Sequence, residues 1–363
     1  MAVQHMSASF KPRTQFDAHP CRANANRSWT QTRNILLSIA LLLLASCAQL
    51  PAPAPPPATE SLVEPTAAQR DAATRAGVDA KDLARYLAKP LYRMSPEEVG
   101  RYLAYLRELE PDLRERVAHL ARKNIGQPYE IYLLGEFPYE TVDAQPLFSL
   151  EKSDCVVFAE HTYAMALSQS WAEFFWMLQR IRYRDGVIGV TTRNHYTETD
   201  WNRENRWLVR DITTELGGAR TLTYTLTVDR ARFFKTRYQL DQPIPVEKTT
   251  ETFLDKNLVA DIAGQLRQGD LVNIVSTRNG AHWVSHVGLV VIGPNGARHI
   301  LHSAEPAVRE ESFDAFIARA EEREARNAAA DKPGQVLAGF KFLRLIDHPD
   351  VPPMAPQPRP RGR

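Results

Sequence analysis

The apolar residues of this chain change their period near Tyr183, and that change restricts the fold class more than any other feature. Before it they recur at helical spacing. Val99, Tyr102, Leu103, Leu106 and Leu109 follow Ser95-Pro96-Glu97-Glu98, a serine cap with proline in the first turn and glutamate three residues after the cap. Leu113, Val117 and Leu120 continue the pattern beyond Pro111, and residues 154–168 and 171–181 read as two further helices. Residues 124–135 read as a loop. After the change, residues 220–228 alternate as a half-exposed strand does. Short apolar runs at 271–275, 287–292, 299–303 and 340–345 are separated by turn residues, with Pro294-Asn295-Gly296 marking a hairpin. Helices first and an antiparallel sheet later predict an α+β fold.

A formal net charge of +2 on 363 residues, with arginine spread along the chain, gives no electrostatic argument for a nucleic-acid partner. Three cysteines, Cys21, Cys47 and Cys155, are too few for a disulfide framework. The first two belong to an amino-terminal address. Arg27 and Arg33 precede an apolar run at 35–44 that is too short for an ordinary membrane span, and small residues follow it. Leu44-Ala45-Ser46-Cys47 resembles the lipobox of bacterial lipoproteins, which implies acylation of Cys47 and a membrane anchor. Ala48 resembles the outer-membrane sorting state, so a periplasm-facing lipoprotein is expected. A plain signal peptide or an uncleaved anchor is the alternative. The expected organisation is a signal segment at 1–46, a Pro/Ala-rich linker at 47–77, a helical region at 78–123, a catalytic domain at 124–347 and a disordered tail at 348–363.

Removal of the signal leaves Cys155 without a partner thiol. It follows Asp154 at the start of a helix, where unpaired amides and the helix dipole favour a thiolate. His286 and His302 lie on later strands that a hairpin joins, so they can sit side by side as a base and its orienter. The amide of Cys155 and its neighbours at the helix start are candidates for binding an oxyanion. His299 competes with His302. Alternation puts the two on opposite faces of one strand, and His302 is the chosen partner of His286.

The order of these parts resembles the NlpC/p60 superfamily of cell-wall cysteine hydrolases. The matching residues are Gly126 to Tyr129, Asp154-Cys155, Gly269-Asp270-Leu271, His286-Val287-Gly288 and His302. Closer still is its N-acetylmuramoyl-L-alanine amidase-like branch, long named a domain of unknown function. That likeness rests on Asp-Cys-x-x-Phe-x-Glu at 154–160, Ile181-Arg182-Tyr183, and Arg193, His195, Tyr196, Asp200 and Trp201. The resemblance implies a papain-like fold, with the nucleophile-bearing helix packed on the sheet and extra amino-terminal helices. It implies Cys155 as nucleophile, His286 as base and His302 as orienter, acting on an amide of peptidoglycan fragments.

Tyr129, Asp154, Arg193, His195, Tyr196 and Trp201 are the candidate substrate-binding residues, aromatic faces and polar edges being suited to a muropeptide. Three of them also have a plainer role: Asp154 as a helix cap, Tyr129 packing on Pro128, and Trp201 as a core anchor. No cofactor is expected, and no metal, since compact ligand spacing such as His-Glu-x-x-His is missing. The other readings are an endopeptidase that cuts between D-glutamate and the diamino acid, and a non-catalytic wall-binding lipoprotein.

Overall fold

The computed structural model describes residues 64–332 and 334–361. The signal segment, the acylation candidate Cys47 and most of the proline-rich stretch lie outside the described residues. The helices are α1 (Ala67–Arg75), α2 (Ala80–Ala88), α3 (Pro96–Leu109), α4 (Leu113–Lys123), α5 (Cys155–Ala166), α6 (Trp171–Arg182), α7 (Asn202–Glu204), α8 (Thr213–Gly217), α9 (Arg230–Tyr238), α10 (Val259–Ile262) and α11 (Phe313–Ala329). The strands are β1 (Val209–Asp211), β2 (Leu222–Val228), β3 (Glu247–Asp255), β4 (Leu271–Arg278), β5 (Ala281–Ile292), β6 (Arg298–Ala304), β7 (Ala307–Ser312) and β8 (Val336–Leu345).

Helix starts follow the local chemistry. The Ser95 hydroxyl accepts from the amide of Glu98, and the Glu98 carboxylate accepts from the amide of Ser95, so two orphan donors are satisfied at once. Thr66 and Gln69 do the same for α1. This corrects the linker expected to run to residue 77. Residues 67–75 are helical, and Ala72 and Ala73 are buried in the core.

The strands form one antiparallel sheet in the order β2-β3-β8-β4-β5-β6-β7, with β1 added on β8. Alternation splits its residues between two cores. Leu271, Val287, Leu289, Leu301 and Leu343 join the apolar faces of α3, α4, α5 and α6. Val272, Ile274, Val290, Ile300, Phe340 and Phe342 face the other way, onto Phe313 and Phe316 of α11. Burial on both faces explains why the central strands read as continuous apolar runs.

The carboxyl-terminal segment corrects a second expectation. It has no regular structure but it is tied down, and the disordered tail does not hold for its described part. The amide of Ala355 donates to the Asp185 carbonyl (3.1 Å) and that of Arg361 to the Pro138 carbonyl (2.9 Å). Gln357 donates to the Gly186 carbonyl (2.8 Å) and accepts from the Ile188 amide (3.1 Å).

Candidate active site

Asp154 caps α5 by accepting from the amide of Val157 at 2.8 Å. Cys155 is the next residue, half-buried, and the amides of Val156, Val287 and Cys155 itself point at its sulfur. Sheet geometry supplies the Val287 donor. Pairing of β5 with β6 runs from Ile292/Arg298 to Leu289/Leu301 and stops there, so the strands part where Sγ meets the backbone. Burial, reinforced by the Asp154 carboxylate, pushes the thiol up to about 12 against those three amides. The helix-start argument for a resting thiolate therefore loses to desolvation. The sulfur rests as a thiol.

The two histidines meet. His286 Nε2 and His302 Nδ1 are 2.6 Å apart with rings near perpendicular, at 81°. Three devices aim them. Ser285 is an extra residue in β5, because Ile274 opposes His286 whereas Val275 opposes Val284. Such a bulge redirects the side chain beside it. Its hydroxyl is fixed to that of Ser276 at 2.7 Å, and Glu198 accepts the neighbouring Val284 amide at 2.6 Å. Gly288 leaves the space His302 needs: a Cβ there would lie 2.7 Å from Ile300 Cγ1 and 3.1 Å from His302 Cβ. Phe316 of α11 stacks over His286 at 15° and meets His302 edge-on.

Beyond His302 stands a residue that the sequence reading missed. Glu311 of β7 accepts from His302 Nε2 at 2.6 Å. Its carboxylate also takes Arg309 and Arg319. Burial alone would raise its range, but the hydrogen bond from His302 and the nearby positive charges outweigh that and hold it down, at about 2. His299 is turned away and bonds Glu310 at 2.9 Å, which separates it from His286. Burial first, then the charges around it, depress His286 well below the ordinary imidazole range. Among the described residues no hydrogen bond joins Sγ to His286. The sulfur touches β5 at Val287, the residue after it. Catalytic contacts of this kind commonly tighten when substrate binds.

The proposed substrate-binding residues divide. Tyr129 places its hydroxyl near Cys155 and Asp154, whose charges, after burial, raise its ionisation range. Its amide is pinned to the Pro306 carbonyl at 3.0 Å. His195 and Trp201, with Asn194, Thr197, Val156 and Val287, line a small cleft that adjoins the residues next to Cys155 and His286. His195 bonds the Val190 carbonyl at 2.6 Å and packs on Phe233 and Phe234.

Arg193 is corrected from ligand to clamp. It holds the Leu134 carbonyl (2.9 Å), Asp143 (2.9 Å), Tyr238 (2.6 Å) and Glu136 (3.2 Å), which leaves its guanidinium committed. Tyr196 lies half-buried under Arg230 and beside Phe233, also a packing position. Trp201 is buried, and its indole donates to Glu160 at 3.1 Å. A π-helical turn at Thr197–Trp201 brings Glu198 under β5 and Trp201 over α5, a local widening common beside functional sites.

Two spacings of the sequence thereby acquire structural causes. Glu160 of α5 joins Arg182 of α6 at 3.0 Å and Trp201, which fixes α5 from behind. Asp270, fully buried in the Gly-Asp turn, joins Arg114 (3.0 Å) and Arg344 (2.9 Å) and accepts the Arg267 amide (2.9 Å).

A neutral thiol beside a neutral imidazole sets a pH dependence. Because the thiol range is raised, the thiolate fraction at neutral pH is small and grows about tenfold per pH unit. Alkylation of Cys155 by iodoacetamide is expected to accelerate steadily from neutral to alkaline pH. A plateau through neutrality would instead report a preformed thiolate–imidazolium pair.

Comparison with known proteins gives the family and the fold. The profile of the N-acetylmuramoyl-L-alanine amidase-like family matches residues 119–320, more than half the chain. A crystal structure of a Legionella pneumophila protein assigned to the DUF1460 family shares the fold. Its TM-score is 0.58 at 16% identity, over 71% of this chain and 96% of that one. An N-acetylmuramoyl-L-alanine amidase from Bacteroides uniformis gives a TM-score of 0.50 at 20% identity, over 64% of this chain and 99% of its own. No curated protein sequence matches. By its sequence profile, with an α+β fold to match, the chain belongs to the N-acetylmuramoyl-L-alanine amidase-like family.

Proposed function

We propose that this chain is a cysteine amidohydrolase of the papain-like NlpC/p60 type that cleaves the bond between N-acetylmuramic acid and L-alanine in peptidoglycan fragments. One observation carries the reading. The chain Glu311–His302–His286 ends one residue before the amide that caps the Cys155 sulfur. Family membership supports the substrate class, and a small cleft beside Val156 and Val287 opens next to the site.

In this reading His286 takes the thiol proton as Sγ attacks the lactyl carbonyl carbon, so the disfavoured thiolate never accumulates. The amide of Cys155 and its neighbours receive the oxyanion. Collapse breaks the C–N bond, and the imidazolium protonates the departing L-alanine amine. Water then attacks the thioester, gives a proton to His286, and releases the lactyl carboxylate while the thiol reforms. Net, one amide and one water become an acid and an amine.

Cys47 would anchor the enzyme to the outer membrane as an acylated residue, facing the wall it acts on. Tyr129, Asp154 and His195 remain the candidates for contacts with the muropeptide.

Purified protein incubated with defined anhydro-muropeptides is expected to release a peptide whose new amino terminus is L-alanine, identified by mass. A new terminus on the diamino acid would reassign the enzyme as an endopeptidase.

A further inference from the structure

We infer that Glu311 is a positioning residue of the hydrolysis: through two successive hydrogen bonds it decides which nitrogen of His286 is the base. The inference rests on the amidohydrolase reading for its kinetic consequence, but the tautomer it fixes does not depend on the substrate.

Proton accounting gives the argument. Glu311 as a carboxylate can only accept, so His302 Nε2, 2.6 Å away, must carry a proton. A neutral His302 then has a bare Nδ1, and that atom lies 2.6 Å from His286 Nε2. His286 must therefore donate from Nε2, which leaves its Nδ1 lone pair free. Among the described residues nothing else hydrogen-bonds that Nδ1. The chain ends on an open base.

Other charges around the pair do not supply this direction. His286 is faced by His302 from β6, by Arg309 from β7, and by Arg319 and Arg323 from α11. All the arginines are donors and none can accept from His302. The arginines serve Glu311 instead: Arg309 Nε lies 3.2 Å from its Oε1, Arg319 Nε lies 3.2 Å from its Oε2, and Arg319 also donates to Oε1. They keep it ionised and oriented. When His286 gains the thiol proton, its positive charge is passed no further; Glu311 offsets it and stays unprotonated.

Glu311→Gln tests this. With its amide nitrogen toward His302, the order of donors reverses and the proton sits on His286 Nδ1. With its amide oxygen toward His302, the NH₂ faces the Arg319 donor and the negative charge is gone. The expected result is a fall in kcat of about 10²–10⁴-fold with KM little changed, as general-base defects give. Glu311→Asp should recover part of it. The neighbouring Glu310→Gln, which loosens the His299 and Arg122 contacts on the opposite face and none to Glu311 or His302, should stay within about threefold of wild type.

Nitrogen-15 NMR of the histidine rings near neutral pH, with His286 assigned by its glutamine variant, reads the tautomer directly. A protonated Nε2 and bare Nδ1 at His286 are expected. A protonated Nδ1 in the wild type, or Glu311→Gln with wild-type kcat, would overturn the inference. If the wild type turns over no muropeptide, the amidohydrolase reading fails, and the ring spectrum still decides the role of Glu311.

Discussion

Cys155→Ala is expected to abolish release of the L-alanine-terminated peptide while leaving the protein folded. Removing a nucleophile from a concerted catalytic group costs on the order of 10⁶-fold in kcat, since the remaining donors and base then have no attacking atom to serve. The sulfur contributes little to the fold. Cys155 is the first residue of α5, half-buried, and Asp154 retains the helix cap through Val157 whatever side chain follows. Stability should therefore move by less than about 1 kcal/mol, read as an unchanged urea midpoint. Product masses from the variant and wild type, at equal folded concentration, make the comparison. A variant that still releases the peptide would show that a water molecule, activated elsewhere, does the chemistry. A wild type that binds fragments as well as its alanine variant, with no product from either, would favour the wall-binding lipoprotein.

The parts of the site that lie on strong periodic elements were legible in the sequence. Ser95-Pro96-Glu97-Glu98 announces α3, and the Asp154 cap announces α5, because capping is local chemistry. His286 and His302 could be paired because a hairpin turn joins their strands and alternation separates His302 from His299.

Glu311 escaped notice for the opposite reason. It stands in Ala307–Ser312, a charged strand at the sheet edge with no apolar rhythm, and its partners come from β6 and from α11. Helix α11 shows only Phe313, Phe316 and Ala320 as buried positions among arginines and glutamates, so its sequence resembles a solvated segment. The resting charge of Cys155 was also beyond reach. Helix-start amides were foreseeable, but the depth of burial that outweighs them depends on how β5 and β6 part. Arg193 and Trp201 were candidates by residue type. Tertiary partners, Glu136 and Asp143 for one and Glu160 for the other, settle them as structure.

The second large effect concerns stability. Arg182→Ala is expected to cost about 3–5 kcal/mol, because it leaves the Glu160 carboxylate buried with its main counter-charge removed. Both side chains are nearly inaccessible, at 9% and 2% exposure, so water cannot replace the lost partner. The pair also joins α5 to α6, and through Trp201 to the π-helical turn, so its loss loosens the support of α5 and Cys155. A double variant, Glu160→Leu with Arg182→Met, removes both charges and should recover much of the loss, since a buried pair replaced by apolar groups of similar size is often neutral. Urea unfolding of the wild type, Glu160→Leu, Arg182→Met and the double variant completes the cycle, with Arg182→Ala measured beside it. Coupling near zero, with Arg182→Ala within about 1 kcal/mol of wild type, would mean that the ion pair does not hold α5 and that Asp154 and the apolar core suffice. Strong coupling with an unchanged KM for muropeptide in Trp201→Phe would place the whole Glu160–Arg182–Trp201 unit behind the site, as the scaffold that keeps the sulfur at the parting of β5 and β6.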